Sequence, residues 1–338
     1  MLYDTEEEYA HLMTDFLKKS KKLPWELHTY TNQEDLFREE GGGLEMLVVS
    51  ESAFSRRLRE IECRCLVVLN ESGVMKWEDV IYVDKYQEAE EVLRYLLGIY
   101  MEAADVRLPR IGRNKGTVFI GVYSPVKRCM QTSFSMAMGQ MLARGHPTLY
   151  LNFEQYAGIG ELLPDMQTLD MADLLYFLNA DMDRFRLRMQ TMLKSKGGLA
   201  YIPPMKSGQN LLAVTAEEWM GLFRKIEDSG EFAFAVLDLG ESMQGLFEIL
   251  RMCTRIYTLT REDRIAKGKL MQYEQVMALY EYGDVLGKTK NVSIAHIRRL
   301  PGELEQLTKG DMADLVKKLL DELLADIGGE GDSWSTRD

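Results

Sequence analysis

Short continuous apolar runs alternate with amphipathic stretches of helical period along this chain. Runs such as Met46-Leu-Val-Val49 and Val118-Phe-Ile-Gly-Val-Tyr123 carry no polar alternation, so both faces of each strand must be buried. Strands of that kind, separated by helices, imply right-handed crossovers and a mostly parallel sheet covered on both sides. The alternation occurs in two series. The first predicts strands at 1–4, 25–31, 44–49, 65–69 and 80–83, with helices at 6–22, 33–39 and 87–102. A basic stretch, Val106-Arg-Leu-Pro-Arg-Ile-Gly-Arg-Asn-Lys115, interrupts it. The second series predicts strands at 117–123, 147–153, 199–203, 232–237, 255–259 and 291–297. Its helices are expected at 132–144, 171–194, 215–229, 265–282 and 311–327. With 338 residues, two α/β domains are expected: 1–105 and 116–327, joined by a linker at 106–115 and followed by a polar, disordered tail at 328–338.

Charge and composition narrow the function classes. The chain carries 41 Lys and Arg against 53 Asp and Glu, a net charge of −12. No basic stripe extends beyond the 107–115 stretch, so no DNA partner is expected. No apolar run is long enough to cross a membrane, and the acidic start Met1-Leu-Tyr-Asp-Thr-Glu-Glu-Glu8 lacks the basic-then-apolar order of a signal peptide. The four cysteines, Cys63, Cys65, Cys129 and Cys253, form neither a disulfide framework nor a zinc spacing. A cytoplasmic location is expected. The 21 methionines, among them Met136, Met138 and Met141, suit core packing.

The strand at 117–123 runs through Ser124-Pro125-Val126-Lys127-Arg128-Cys129-Met130-Gln131-Thr132-Ser133 into a helix. Strand, loop and helix in that order are the topology of a phosphate-binding loop, where backbone N–H groups and a helix N-terminus hold an anion; the alternative is a loop that is only a structural turn. Laid on Gly-x-x-x-x-Gly-Lys-Ser/Thr, Pro125 and Met130 stand at the two glycines, Gln131 at the lysine and Thr132 at the hydroxyl. Only the last position matches. Pro125 removes a donor and fixes φ, Met130 adds bulk, and Gln131 carries no charge.

The segment nevertheless resembles the deviant P-loop of the MinD/ParA family of ATPases, and within it the CpaE-like branch of pilus-assembly proteins. Phe134-Ser-Met-Ala-Met-Gly-Gln-Met-Leu-Ala-Arg-Gly145 and Pro147-Thr-Leu-Tyr-Leu-Asn-Phe-Glu154 are similar to that family's first helix and second strand. Asn152 and Glu154 stand at its Asp-x-Asp pair. Phe232-Ala-Phe-Ala-Val-Leu-Asp238 resembles its Walker B strand. The family's signature lysine falls at Val126 and is missing.

The resemblance implies a MinD/ParA-like P-loop NTPase domain. It implies ATP and Mg²⁺ as cofactors, with Thr132 and Asp238 on the metal side and Glu154 orienting water. It also implies a homodimer through this domain. Lys127 and Arg128 are the cations left in the loop, so nucleotide binding is expected to be weak and hydrolysis poor; the alternative is a pseudo-ATPase scaffold that binds protein partners without turnover. MinD proteins end in a membrane-targeting helix. Here the helix at 311–327 has an acidic polar face, which favours packing on the sheet over membrane association.

The first domain resembles a response-regulator receiver, a flavodoxin-like fold. Asp4 and Lys85 match receiver positions, whereas Ser50 stands where the phosphoacceptor aspartate ends the third strand. A serine cannot form an acyl phosphate. The implied role is a pseudo-receiver that docks protein partners, with Asp4 and Lys85 expected to be surface or strand-end charges.

Overall fold

The computed structural model describes residues 1–19, 26–38, 44–77, 80–103, 116–158, 169–295, 297, 300–302 and 306–328. It divides into two compact units: Met1–Pro109 with Arg186–Thr191, and Arg110–Phe185 with Met192–Asp338. The expected linker at 106–115 lies outside the described residues, as does the expected tail at 328–338 except for Gly328, which ends a helix.

The first unit contains β1 (Leu2–Tyr3), α1 (Glu7–Lys19), β2 (Thr29–Tyr30), α2 (Gln33–Arg38), β3 (Leu44–Ser50), β4 (Cys63–Asn70), β5 (Ile81–Asp84) and α3 (Ala89–Ala103). The strands pair in parallel in the order β2-β1-β3-β4-β5, a doubly wound arrangement. Met46, Val48, Val67 and Leu69 face one apolar cluster together with Met13, Val92 and Leu96, while Tyr3, Leu47 and Val49 face another. The strand expected at 25–31 shrinks to Thr29–Tyr30, because its neighbour β1 offers only Leu2 and Tyr3 for pairing.

At the carboxyl ends of these strands two loops exchange bonds. Glu51 accepts the backbone N–H groups of Glu71 and Ser72, each at 2.9 Å, and the Ser72 hydroxyl at 2.8 Å. In return, Glu71 accepts the N–H and the hydroxyl of Ser52, both at 3.2 Å. Asp4 and Lys85 are not surface charges: they are 0% and 2% exposed. Lys85 Nζ reaches Asp4 at 2.9 Å, Glu71 at 2.7 Å and Glu6 at 3.1 Å. Burial works against the ammonium, but the bonds to Glu71, Asp4 and Glu6 prevail and hold its pKa above the usual lysine value.

The second unit contains β6 (Val118–Tyr123), α4 (Gln131–Leu142), β7 (Thr148–Asn152), α5 (Met171–Leu175), α6 (Met182–Met192, of which Arg186–Thr191 counts with the first unit), β8 (Lys194–Lys196), β9 (Leu199–Tyr201), α7 (Gly208–Ala213) and α8 (Ala216–Ser229). Then follow β10 (Phe234–Asp238), α9 (Leu246–Met252), β11 (Arg255–Thr260), α10 (Arg264–Leu279), α11 (Gly283–Gly287), β12 (Thr289–Ser293) and α12 (Asp311–Gly328). The sheet order is β12-β11-β6-β10-β7-β9-β8, parallel except for β8 against β9.

Two expectations are corrected here. The helix expected at 171–194 is broken, because the Asp181 carboxylate accepts the Arg184 N–H at 3.0 Å and caps a second helix. Its last residues instead begin β8, whose hairpin turns at Gly197-Gly198 with φ 58° and 81°. The helix expected at 265–282 stops at Leu279, and Glu281 turns left-handed at φ 64°. Thr215 caps α8 in a reciprocal box with Glu218. Met312, Val316, Leu319 and Leu323 of α12 are buried in the same cluster as Met136 and Met138 of α4, and Tyr257 of β11 donates to Leu319 O.

Candidate functional site

Strand register assembles the site. β10 lies between β6 and β7, with Asp238 level with Val122 on one side and Asn152 on the other. The loop 124–130 leaves the end of β6 beside them and enters α4. Ser124 fixes its start: the hydroxyl donates to Leu259 O at 2.7 Å and accepts the N–H groups of Val126 and Lys127 at 3.2 Å. Lys127, Arg128 and Met130 take positive φ of 67°, 51° and 51°. The backbone thus keeps a conformation natural to glycine although no glycine is present. Cys129 is buried and its thiol donates to Lys127 O. Val126 and Met130 pack on the hydrophobic core, so Met130 is directed inward. Pro125 lies in the turn, and Thr132 and Ser133 in the first turn of α4.

Asp238 is 0% exposed, and its carboxylate is closed by protein donors. Gln131 Nε2 donates to Oδ1 at 2.7 Å, while Tyr150 OH and Asn152 Nδ2 each donate to Oδ2 at 2.9 Å. Thr132 adds a side-chain bond. Burial pushes the Asp238 pKa up, and these four bonds oppose that shift. Gln131 also reaches Val122 O at 3.3 Å and Leu239 O at 3.0 Å. The residue at the lysine position therefore turns into the sheet, away from where a phosphate would lie.

Tyr150 was not among the sequence candidates. The signal was its place two residues before Asn152, which puts both on one face of β7. Ser124 was missed as well; a serine two residues ahead of a turn amide is the available cue.

The mouth of the site is acidic. Glu154 is half-buried, and its N–H donates to Asn152 Oδ1 at 2.9 Å. Burial raises its pKa, Lys127 opposes that, and Asp238 and Glu241 add to the rise. The Lys127 ammonium is already paired with Glu241 at 3.4 Å. Arg128 is exposed. Burial, with Glu241 and Glu154 nearby, pushes the Tyr123 phenol to about 12. Register and loop thus bring together Gln131, Thr132, Asp238 and Asn152, with Lys127 and Glu154 beside them. These residues fit Mg²⁺ and ATP poorly. Thr132 and Asp238 bond to each other, two loop amides are held by Ser124, and the Lys127 ammonium is paired with Glu241.

No family model and no curated protein matches this chain. Solved structures similar to it include a ParA family ATPase from Chlorobium tepidum, at 15% identity over 62% of this chain and 92% of that one, TM-score 0.43. A chain of the MinC:MinD cell division protein complex of Aquifex aeolicus is similar at 17% identity over 60% of this chain and 78% of that one, TM-score 0.40. Cobyrinic acid a,c-diamide synthase from Mycobacterium smegmatis, solved with an ATP analogue and magnesium, is similar at 15% identity over 61% and 82%, TM-score 0.40.

Proposed function

We propose that the second unit is a nucleotide-site fold of the MinD/ParA kind that does not turn over ATP, and that the chain works as an assembly or positioning scaffold through protein partners. The closed carboxylate of Asp238 carries this reading. A group that must hold a hydrated Mg²⁺ has to present free oxygen lone pairs toward the loop. Here those lone pairs accept from Gln131, Tyr150 and Asn152. Charge supports the same conclusion. Phosphoryl transfer needs preorganised positive charge, whereas Lys127 is paired with Glu241, and Glu154 stands nearby.

Within that kind, the CpaE-like, pilus-assembly branch is the finer assignment we favour, on the loop and strand residues 124–154. The first unit is read as a pseudo-receiver that docks partners, since buried Ser50, not a carboxylate, ends β3.

Calorimetric titration of the full chain with MgATP and MgADP, together with a phosphate-release assay, tests the reading. The expected result is no turnover and no binding tighter than about 1 mM, the weak end of specific affinities. Turnover above the protein-free rate, lost in Asp238→Asn, would overturn it.

A further inference from the structure

The first unit carries a half-open pocket of about 390 Å³. Its walls are Leu2, Met46 and Leu69 of the sheet, Met13 and Leu17 of α1, and Leu96 of α3, all nearly fully buried. The helix residues explain the opening. Met13 and Leu17 are four apart, as are Val92, Leu96 and Tyr100, so each helix turns one straight stripe toward the same space. In a close-packed domain such stripes interdigitate, and voids larger than a water molecule are few. Here α1 and α3 stand on the sheet on either side of a gap of ligand size, since sites for small molecules run from about 300 to 1,000 Å³. A dry apolar cavity of about 150 Å³ already takes up benzene.

Polar groups line part of it: Glu26, His28, Glu45 and the amino group of Met1, which donates to Met46 O at 2.7 Å. They face partners of their own. Glu26 stands 3.8 Å from His28, and Glu45 3.0 Å from Arg64. A carboxylate-headed molecule would meet two carboxylates. An uncharged one meets apolar walls and, at Glu45, a charge already paired with Arg64. We propose that this pocket is a binding site for a small, neutral, largely hydrocarbon molecule, of the size of two linked aromatic rings or a medium-length alcohol. The site lies within the first unit and does not depend on the reading of Asp238.

The probe is N-phenyl-1-naphthylamine, titrated into the full chain and followed by fluorescence. One-to-one saturation at micromolar probe is expected, with displacement by decanol at least tenfold more effective than by decanoate. Leu96→Trp and Leu17→Phe fill the space from opposite helices. Each variant that still melts cooperatively should bind the probe at least tenfold more weakly. A measurement independent of those variants is ¹³C-methyl methionine NMR, in which the Met13 and Met46 signals should move with the titration while Met136 and Met138 stay in place. Absence of saturable binding, unchanged affinity in the filled variants, or methyl shifts that spare Met13 and Met46 would each overturn the proposal. Equal displacement by decanoate would overturn its choice of a neutral ligand.

Discussion

Gln131 and Asp238 are joined by a 2.7 Å hydrogen bond that ties the first turn of α4 to the end of β10. The bond occupies both the side chain that would carry charge to a phosphate and the carboxylate that would face a metal. Replacing both loop residues, Met130→Gly with Gln131→Lys, should therefore open the site. Glycine suits the left-handed backbone at 130, φ 51°, and lysine at 131 restores a point charge; a charge-assisted contact contributes about 1.5–3 kcal/mol. Calorimetry should show MgATP affinity at least about tenfold higher than that of the unmodified chain.

Asp238→Ala should destabilise the second unit by about 3 kcal/mol, since it strands the donors of Gln131, Tyr150 and Asn152 in a buried place. Urea denaturation followed by Trp fluorescence measures it. A change below about 1 kcal/mol would mean that the network is dispensable.

Gly240→Ala should be similarly costly for a different reason. A Cβ at Gly240 would lie 2.4 Å from the Phe153 carbonyl oxygen, and backbone cannot step aside as a side-chain tip can. Loss of about 2 kcal/mol or more in the same denaturation assay is expected.

Arg128→Gly should stabilise. Arg128 is exposed and holds φ 51°. A left-handed residue other than glycine costs about 1–2 kcal/mol, of which glycine's extra chain entropy returns about half. A gain of about 0.5–1 kcal/mol is expected in urea.

The pH response of the first unit should change with Glu51→Gln. Bonds from Lys76, then from the Glu71 and Ser72 amides, hold the Glu51 carboxyl at about 2, below its ordinary 4.5. A depressed folded-state pKa gives stability that is present above 4.5 and lost as pH falls toward about 2. The variant cannot titrate there, so its melting temperature should fall less steeply across that interval. An unchanged slope would remove Glu51 from the acid response.

Much of the architecture was legible because uninterrupted apolar runs such as Val67-Val-Leu69 and Phe234-Ala-Val-Leu237 have no stable place outside a buried sheet. The loop's position was legible for the same reason, as the strand at 118–123 had to end somewhere before α4. What escaped was decided by partners distant in sequence. Nothing local to Lys85 announces that Asp4 and Glu71 will enclose it. Tyr150 reads as one more core residue until the register sets Asn152 against Asp238. The helix break at Asp181 and the Gly197-Gly198 hairpin were different: both carried local cues that the longer helical period masked.

The two Glu-Ser dipeptides at 51–52 and 71–72 each supply what the other lacks, a carboxylate in one direction and an amide with a hydroxyl in the other. They act as a single fastening made in two places. A change to either glutamate leaves one half of the exchange standing, so single substitutions are buffered and their costs do not add. In related chains the two dipeptides should be kept together or abandoned together, and a lineage that retains only one should have found another fastening for the ends of β3 and β4.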